Sequence, residues 1–163
     1  MKIKKSLMLA GALAVAPGAA SAQALVAERT ISLNAALEMA TASLERCRAD
    51  GYKVTITVLN RHARTAVVLS DDGANPHTVE NSMRKAYTAF TTRAPSIEMA
   101  RRPQPALSGF LTLDNITTLE GGLPIFAGKD LVGSIGISGA PGGDKDAACA
   151  QVGIDKIAKA LGG

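Results

Sequence analysis

Val54-Thr55-Ile56-Thr57-Val58-Leu59 and Thr65-Ala66-Val67-Val68-Leu69 are two short β-branched runs, separated only by Asn60 to Arg64. Such side chains are stiff about χ1 and suit a pleated, half-buried surface. Two runs joined by so short a connection read as a hairpin, and a hairpin requires antiparallel pairing. A second pair lies downstream, where Ile125-Phe126-Ala127 and Leu131 to Ser138 flank the turn Gly128-Lys129-Asp130. Helical patterns surround these strands. Ser32 can cap a helix in which Leu33, Leu37, Ala40, Leu44 and Cys47 form one apolar stripe, ended by Gly51. After the turn Asp71 to Pro76, residues His77 to Thr92 carry Val79, Met83, Ala86 and Phe90 at helical spacing, and Pro95 closes the run. Ser96 can cap a short helix through Ala100. Pro103 and Pro105 then predict extended chain, with an irregular strand around Ile116 to Leu119. The last helix is predicted from Asp144 to Leu161, with Ala150, Ile154, Ile157 and Leu161 on one face. The order predicts an α+β fold, an antiparallel sheet covered by helices.

The N-terminus decides how much of the chain belongs to that domain. Lys2, Lys4 and Lys5 precede an apolar stretch from Leu7 to Ala16, and Ala20-Ser21-Ala22 offers small residues for cleavage. This is the pattern of a secretory signal peptide. The apolar run falls well short of the roughly 20 residues of a spanning helix. We expect removal of residues 1–22, with Ala24 as an alternative cut site, and a single domain from 23 to 163. The expected location is periplasmic or secreted, without stable membrane insertion after cleavage. Formal charge is +4, from 18 basic and 14 acidic residues. Three of the lysines lie in the leader, so the remainder is nearly balanced. No basic run interleaves with aromatics, which argues against nucleic acid as a partner. Arg93 with Arg101-Arg102 is a small basic cluster, read first as solvated loop and second as an attraction for an anion.

Cys47 and Cys149 are the two cysteines, with no C-x-x-C and no zinc-type spacing. An oxidising compartment permits a bridge. Against it, Cys149 lies about 100° from Ala150 and about 140° from Ile154 at helical pitch, off the expected stripe. Two free thiols are therefore expected.

Four motifs, in order along the chain, point further. Gly121-Gly122-Leu123-Pro124-Ile125, followed by Val132-Gly133-Ser134-Ile135-Gly136-Ile137-Ser138-Gly139-Ala140, resembles a GGxPI…VGAIGVSGA signature. Asp146 with Ala147-Ala148-Cys149-Ala150 resembles a D-xx-CA helix opening, and Lys85-Ala86-Tyr87-Thr88-Ala89-Phe90 a KAYTAxxF helix. Asp72-Gly73-Ala74 resembles the turn ahead of it. In these features the chain resembles the GlcG/HbpS-like haem-binding proteins, some of them described as haem-degrading, related to the PduO C-terminal domain. The resemblance implies a profilin-like fold, assembly into homo-oligomers and haem or a related tetrapyrrole as ligand. It accounts for Cys149 without a partner.

Haem iron takes a side chain with a free lone pair, most often histidine. His77, at the start of the second helix beside the Asp72-Gly73-Ala74 turn, is the candidate iron ligand. His62 at the first hairpin tip is expected in solvent. Propionates pair with Arg or Lys. Arg84 stands about 20° short of two turns from His77, and Lys85 about 80° away. Arg84 is thus the better geometric partner, while Lys85 enters through the family-like motif. Gly121 and Gly122 complete the candidate cofactor-binding set, as a tight turn able to adopt positive φ. Gly133 and Gly136 invite close approach, first by a helix and second by a ligand or another subunit. Met83, Phe90, Leu123 and Phe126 are candidate apolar walls, each read first as core. With three Phe, two Tyr and no Trp, a dedicated haem pocket is poorly supplied.

Two other functions remain open. Asp72, His77, Lys85, Tyr87 and Glu120 can supply acid–base groups for an enzyme acting on a small carbonyl or hydroxy-acid catabolite. No G-x-S-x-G, P-loop, H-E-x-x-H or dinucleotide fingerprint is present, and Ser138-Gly139 reads as structural. An accessory partner of a sensor or transporter is the third reading.

Overall fold

The computed structural model describes residues 25–162. The expected leader and its cleavage site lie outside the described residues. In chain order the elements are α1 (Leu33–Ala49), β1 (Thr55–Asn60), β2 (Thr65–Ser70), α2 (His77–Thr92), a 3-10 turn (Ser96–Met99), α3 (Ala106–Phe110), β3 (Gly122–Ala127), β4 (Asp130–Ser138) and α4 (Gly143–Ile157), with a closing 3-10 turn (Ala158–Leu161). The four strands form one antiparallel sheet in the order β2-β1-β4-β3. α2 lies across one face, and α1 with α4 covers the other. The fold is the expected α+β arrangement.

The two faces differ in chemistry. Ile56, Val58, Ile135 and Ile137 are buried in the apolar cluster with Met39, Ala40, Ala150 and Ile157 of α1 and α4. The alternate residues of β1 and β4 meet α2 through hydroxyls. Thr55 and Thr57 bond Thr78 and Ser82 at 2.8 Å, and the Ser134 hydroxyl donates to the Ala86 carbonyl at 2.8 Å. α2 sits close because Gly136 carries no side chain. A Cβ there would fall 2.1 Å from the Ser82 carbonyl oxygen. Helix–sheet packing is thus the role seen for Gly136, and an equivalent Cβ at Gly133 would meet the Leu59 carbonyl oxygen at 2.4 Å.

Three expectations need correction. The buried face of α1 is Ala36, Met39, Ala40, Ser43 and Cys47. Leu33 and Leu37 are 63% and 47% exposed. Small residues won because α1 packs tightly on α4, where a Cβ at Gly153 would meet the Ser43 hydroxyl at 2.1 Å and the Met39 carbonyl oxygen at 2.6 Å. For the same reason α4 buries Asp146, Cys149, Ala150, Gly153 and Ile157, a face rotated from the expected one, with Ile154 only half-buried. That rotation turns Cys149 inward, to a Cα–Cα separation of 5.7 Å from Cys47 within bridging range. The cysteines form a disulfide, and the expected free thiols are not found. Third, extended chain after Pro103 gives way to the short helix α3, whose first residue follows Pro105, a residue compatible with a helix start. No strand forms at Ile116–Leu119, and β3 begins earlier than expected, at Gly122.

Candidate functional site

α2 and α4 both begin at one end of the sheet, where β4 ends at Ser138. The loop through Gly139 to Gly142 runs between them, and Thr118 to Glu120 leads into β3 alongside. Together they enclose a cleft of about 460 Å³. His77, Asn81, Glu120 and Ser138 line it, with Lys85 and Asp146 at its base.

The base is an ion pair taken almost entirely out of water. Lys85 Nζ donates to Asp146 Oδ2 at 2.7 Å and to the Ile137 carbonyl at 2.9 Å, and both side chains are 3% exposed. Asp146 Oδ1 accepts the Ala140 backbone N–H at 3.0 Å, which ties the start of α4 to the loop after β4. Burial pushes the Asp146 carboxyl above its ordinary range, while Lys85 and the Ala140 N–H pull the other way. Asn81 donates to the Ser138 hydroxyl at 3.0 Å across the cleft wall.

Gly121 and Gly122 make this approach sterically possible. Gly121 has φ +119, and a Cβ on it would lie 2.7 Å from Asp146 Cβ and 3.0 Å from Lys85 Nζ. At Gly122 a Cβ would fall 2.1 Å from the Lys85 carbonyl oxygen. Both are buried against the pair rather than lining the cleft.

His77 is exposed at the cleft mouth. It also belongs to a shallow groove of about 260 Å³ with Glu80, Asn81, Arg84 and Leu119. Arg84 lies on that groove as an exposed side chain, ion-paired to Glu80 one turn back.

A family model described as haem degrading protein HbpS-like matches residues 31–155. The chain belongs to the HbpS-like family. Among curated proteins it is similar to an uncharacterised 15.0 kDa protein of Citrobacter freundii from the dhaT-dhaS intergenic region. The two are 32% identical over 114 residues, 68% of this chain and 80% of that protein. Among solved structures it is similar to an HbpS double mutant of Streptomyces reticuli, at 36% identity and TM-score 0.76, covering 87% of this chain and 97% of that one. It also shares its fold with PduOC, solved as a complex with haem, at 24% identity and TM-score 0.72, covering 78% of this chain and 95% of the other.

In this HbpS-like chain the structure brings His77, Lys85 and Glu120 to one cleft, and His77 and Arg84 to one groove. His62 lies away from both, 62% exposed and 3.9 Å from Glu28. Asp72 is exposed on its turn, and neither it nor Tyr87 lines the cleft. Of the expected apolar walls, Met83, Phe90, Leu123 and Phe126 line neither cavity; Ile97, Leu119 and Pro141 border the cleft instead. Among the described residues, no three His, Cys, Asp or Glu side chains cluster as a metal site, and no helix is long and apolar enough to cross a membrane. The sequence reading missed Asp146 as the partner of Lys85. The signal was present, since each lies in one of the four motifs that carried the resemblance, and their charges are opposite.

Proposed function

We propose that this chain is an exported haem-binding protein, with haem seated in the groove beside His77 and iron held by that imidazole. The observation that carries the reading is the placement of His77, an exposed histidine where the cleft and the groove meet. The groove residues fit such a group. An imidazole offers a lone pair to iron, Leu119, 52% exposed, offers an apolar surface, and the Arg84 guanidinium is of the kind that pairs a propionate. Haem bound there supplies a redox-active iron. Lys85, engaged with Asp146 and Ile137, acts as a positioning residue that holds the cleft base, with Gly121 and Gly122 allowing the approach. The family description and the PduOC complex support haem as the ligand class. For export, the support is the Lys-rich start with Ala20-Ser21-Ala22, together with a Cys47–Cys149 bridge of the kind that persists in oxidising compartments.

Haem titration followed in the Soret region tests the site. The wild-type protein is expected to give a saturable band at micromolar haem, which His77→Ala shifts or abolishes and His62→Ala leaves alone. An unchanged spectrum in His77→Ala removes His77 as ligand, and no band with wild-type protein removes the haem reading.

One observation favours a second reading. His77 and Glu120 face the same cleft, a proton-transfer pair for a small carbonyl or hydroxy acid. Turnover of such a compound that is lost in both His77→Ala and Glu120→Gln would establish it.

A further inference from the structure

α2 spans 16 residues, about 24 Å at 1.5 Å per residue, and the cleft lies along its first half, from His77 to Lys85. At its other end four cations from four separate segments line a second cavity of about 400 Å³. Arg29 comes from the stretch before α1, Arg61 from the β1–β2 turn, Arg93 from just past α2, and Lys129 from the β3–β4 turn. Two carboxylates share the cavity. Arg29 Nη1 lies 3.3 Å from Asp130 Oδ2, and Arg61 Nη2 lies 3.4 Å from Glu28 Oε1. Arg93 and Lys129 have no ion-pair partner among the described residues. Like charges gathered on one concave wall repel, and the available acids answer only half of them.

Arg93 adds a second observation. It ends α2 at φ 54, in the left-handed region where glycine or asparagine is usual. A residue with a Cβ is disfavoured there, and this one places a guanidinium on the cavity wall.

We propose that this cavity binds a small dianion, a dicarboxylate or a phosphate, with Arg93 and Lys129 as the pairing cations. Arginine presents a planar fork that matches carboxylate and phosphate oxygens, and lysine adds a compact charge. The volume lies in the small-ligand range of roughly 300–1,000 Å³. Glu28 and Asp130 are held on Arg61 and Arg29, which leaves the other two cations for the ligand. The proposal is independent of haem, since the site lies at the opposite end of α2.

Calorimetric titration of the protein at low ionic strength with sodium phosphate, and separately with sodium succinate, tests it. Saturable one-site binding of at least one anion is expected, and the anion that binds identifies the oxyanion class. Arg93→Ala and Lys129→Ala should each weaken it about tenfold, the loss of one charge-assisted contact. Lys53→Ala, an exposed cation between α1 and β1, should leave it unchanged, and thermal melts confirm that each variant is folded. No saturable binding of either anion overturns the proposal, as does an equal loss in Lys53→Ala.

Discussion

An ammonium and a carboxylate taken out of water each lose several kcal/mol of hydration, and the Lys85–Asp146 pair offsets this through its own 2.7 Å contact together with its bonds to Ile137 and Ala140. Removing one partner strands the other. Lys85→Met is therefore expected to destabilise by about 3–5 kcal/mol, and Lys85→Met with Asp146→Leu to recover much of that. Urea melts of the two variants decide; equal losses in both would show that the pair contributes little beyond its side-chain volume. A different pH signature attaches to Asp71, which accepts from Arg48 Nε at 3.1 Å and Nη2 at 2.7 Å. The Arg48 hydrogen bond holds the Asp71 carboxyl below its ordinary range. Its stabilisation is therefore fully present above the unfolded pKa of about 3.9 and is lost as pH falls through the lower folded value. Asp146 has the opposite sign. Its raised folded value makes stability fall as pH rises from the unfolded value to the folded one, and the dependence is flat above that. In melts across acid pH, Asp71→Asn should lose less stability than the wild type as pH falls below the unfolded value, and an unchanged acid limb would assign that slope elsewhere. The candidate site residues were partly legible in sequence. His77 and Arg84 follow from helical spacing, since a helix fixes which residues share a face. Asp146 does not, because its partner lies on another element, 61 positions away.

Among the elements, α2 is predicted to its terminal residues because Pro76 and Pro95 bracket an uninterrupted periodic run. Both hairpins are legible from local turn chemistry, which is short-range by nature. What was illegible is the face a helix turns to its neighbour. Helical α1 offers two stripes, a leucine stripe and a small-residue stripe, and hydrophobicity alone selects the wrong one. The deciding fact is the absent side chain at Gly153, more than 100 positions away, which permits close contact only to small residues. The cysteine pairing turns on the same rotation. With Cys47 and Cys149 on the two contacting faces, the bridge links α1 to α4 across a sequence separation of 102. In the chain-entropy model a loop of that size stabilises by about 4.7 kcal/mol. Thiol titration of denatured, unreduced protein should find no reactive group, and reduction should lower the melting temperature. Two reactive thiols under those conditions would mean that the bridge does not form in the protein as made.

At the scale of the molecule, several exposed apolar residues share a few surfaces, while Leu25, Val26, Val68 and Val79 lie elsewhere. Leu33 and Leu37 stand on the outer side of α1, and Val152 on the outer side of α4. Leu111, Leu113 and Leu119 sit on the chain between α3 and β3, and Phe126 on the edge strand β3. An unpaired strand edge beside an exposed aromatic is the kind of surface that proteins cover. The leucine stripe of α1, left over when the small-residue face took the core, is a second such surface. A chain of this length also has limited area to bury by itself. We therefore propose a homo-oligomer in which these surfaces are covered by further copies. Closed symmetry is the common outcome, and it needs a patch that complements itself or a second patch. The α1–α4 surface has the charges for this, with Glu38, Glu45 and Lys156 around Leu37 in one groove. Sedimentation at tens of micromolar should give a mass above that of one chain. Leu37→Glu should lower that mass if the α1–α4 surface carries the assembly, and Phe126→Glu should lower it if the β3 edge does. A wild-type monomer at that concentration would contradict the proposal and leave these apolar surfaces exposed to solvent.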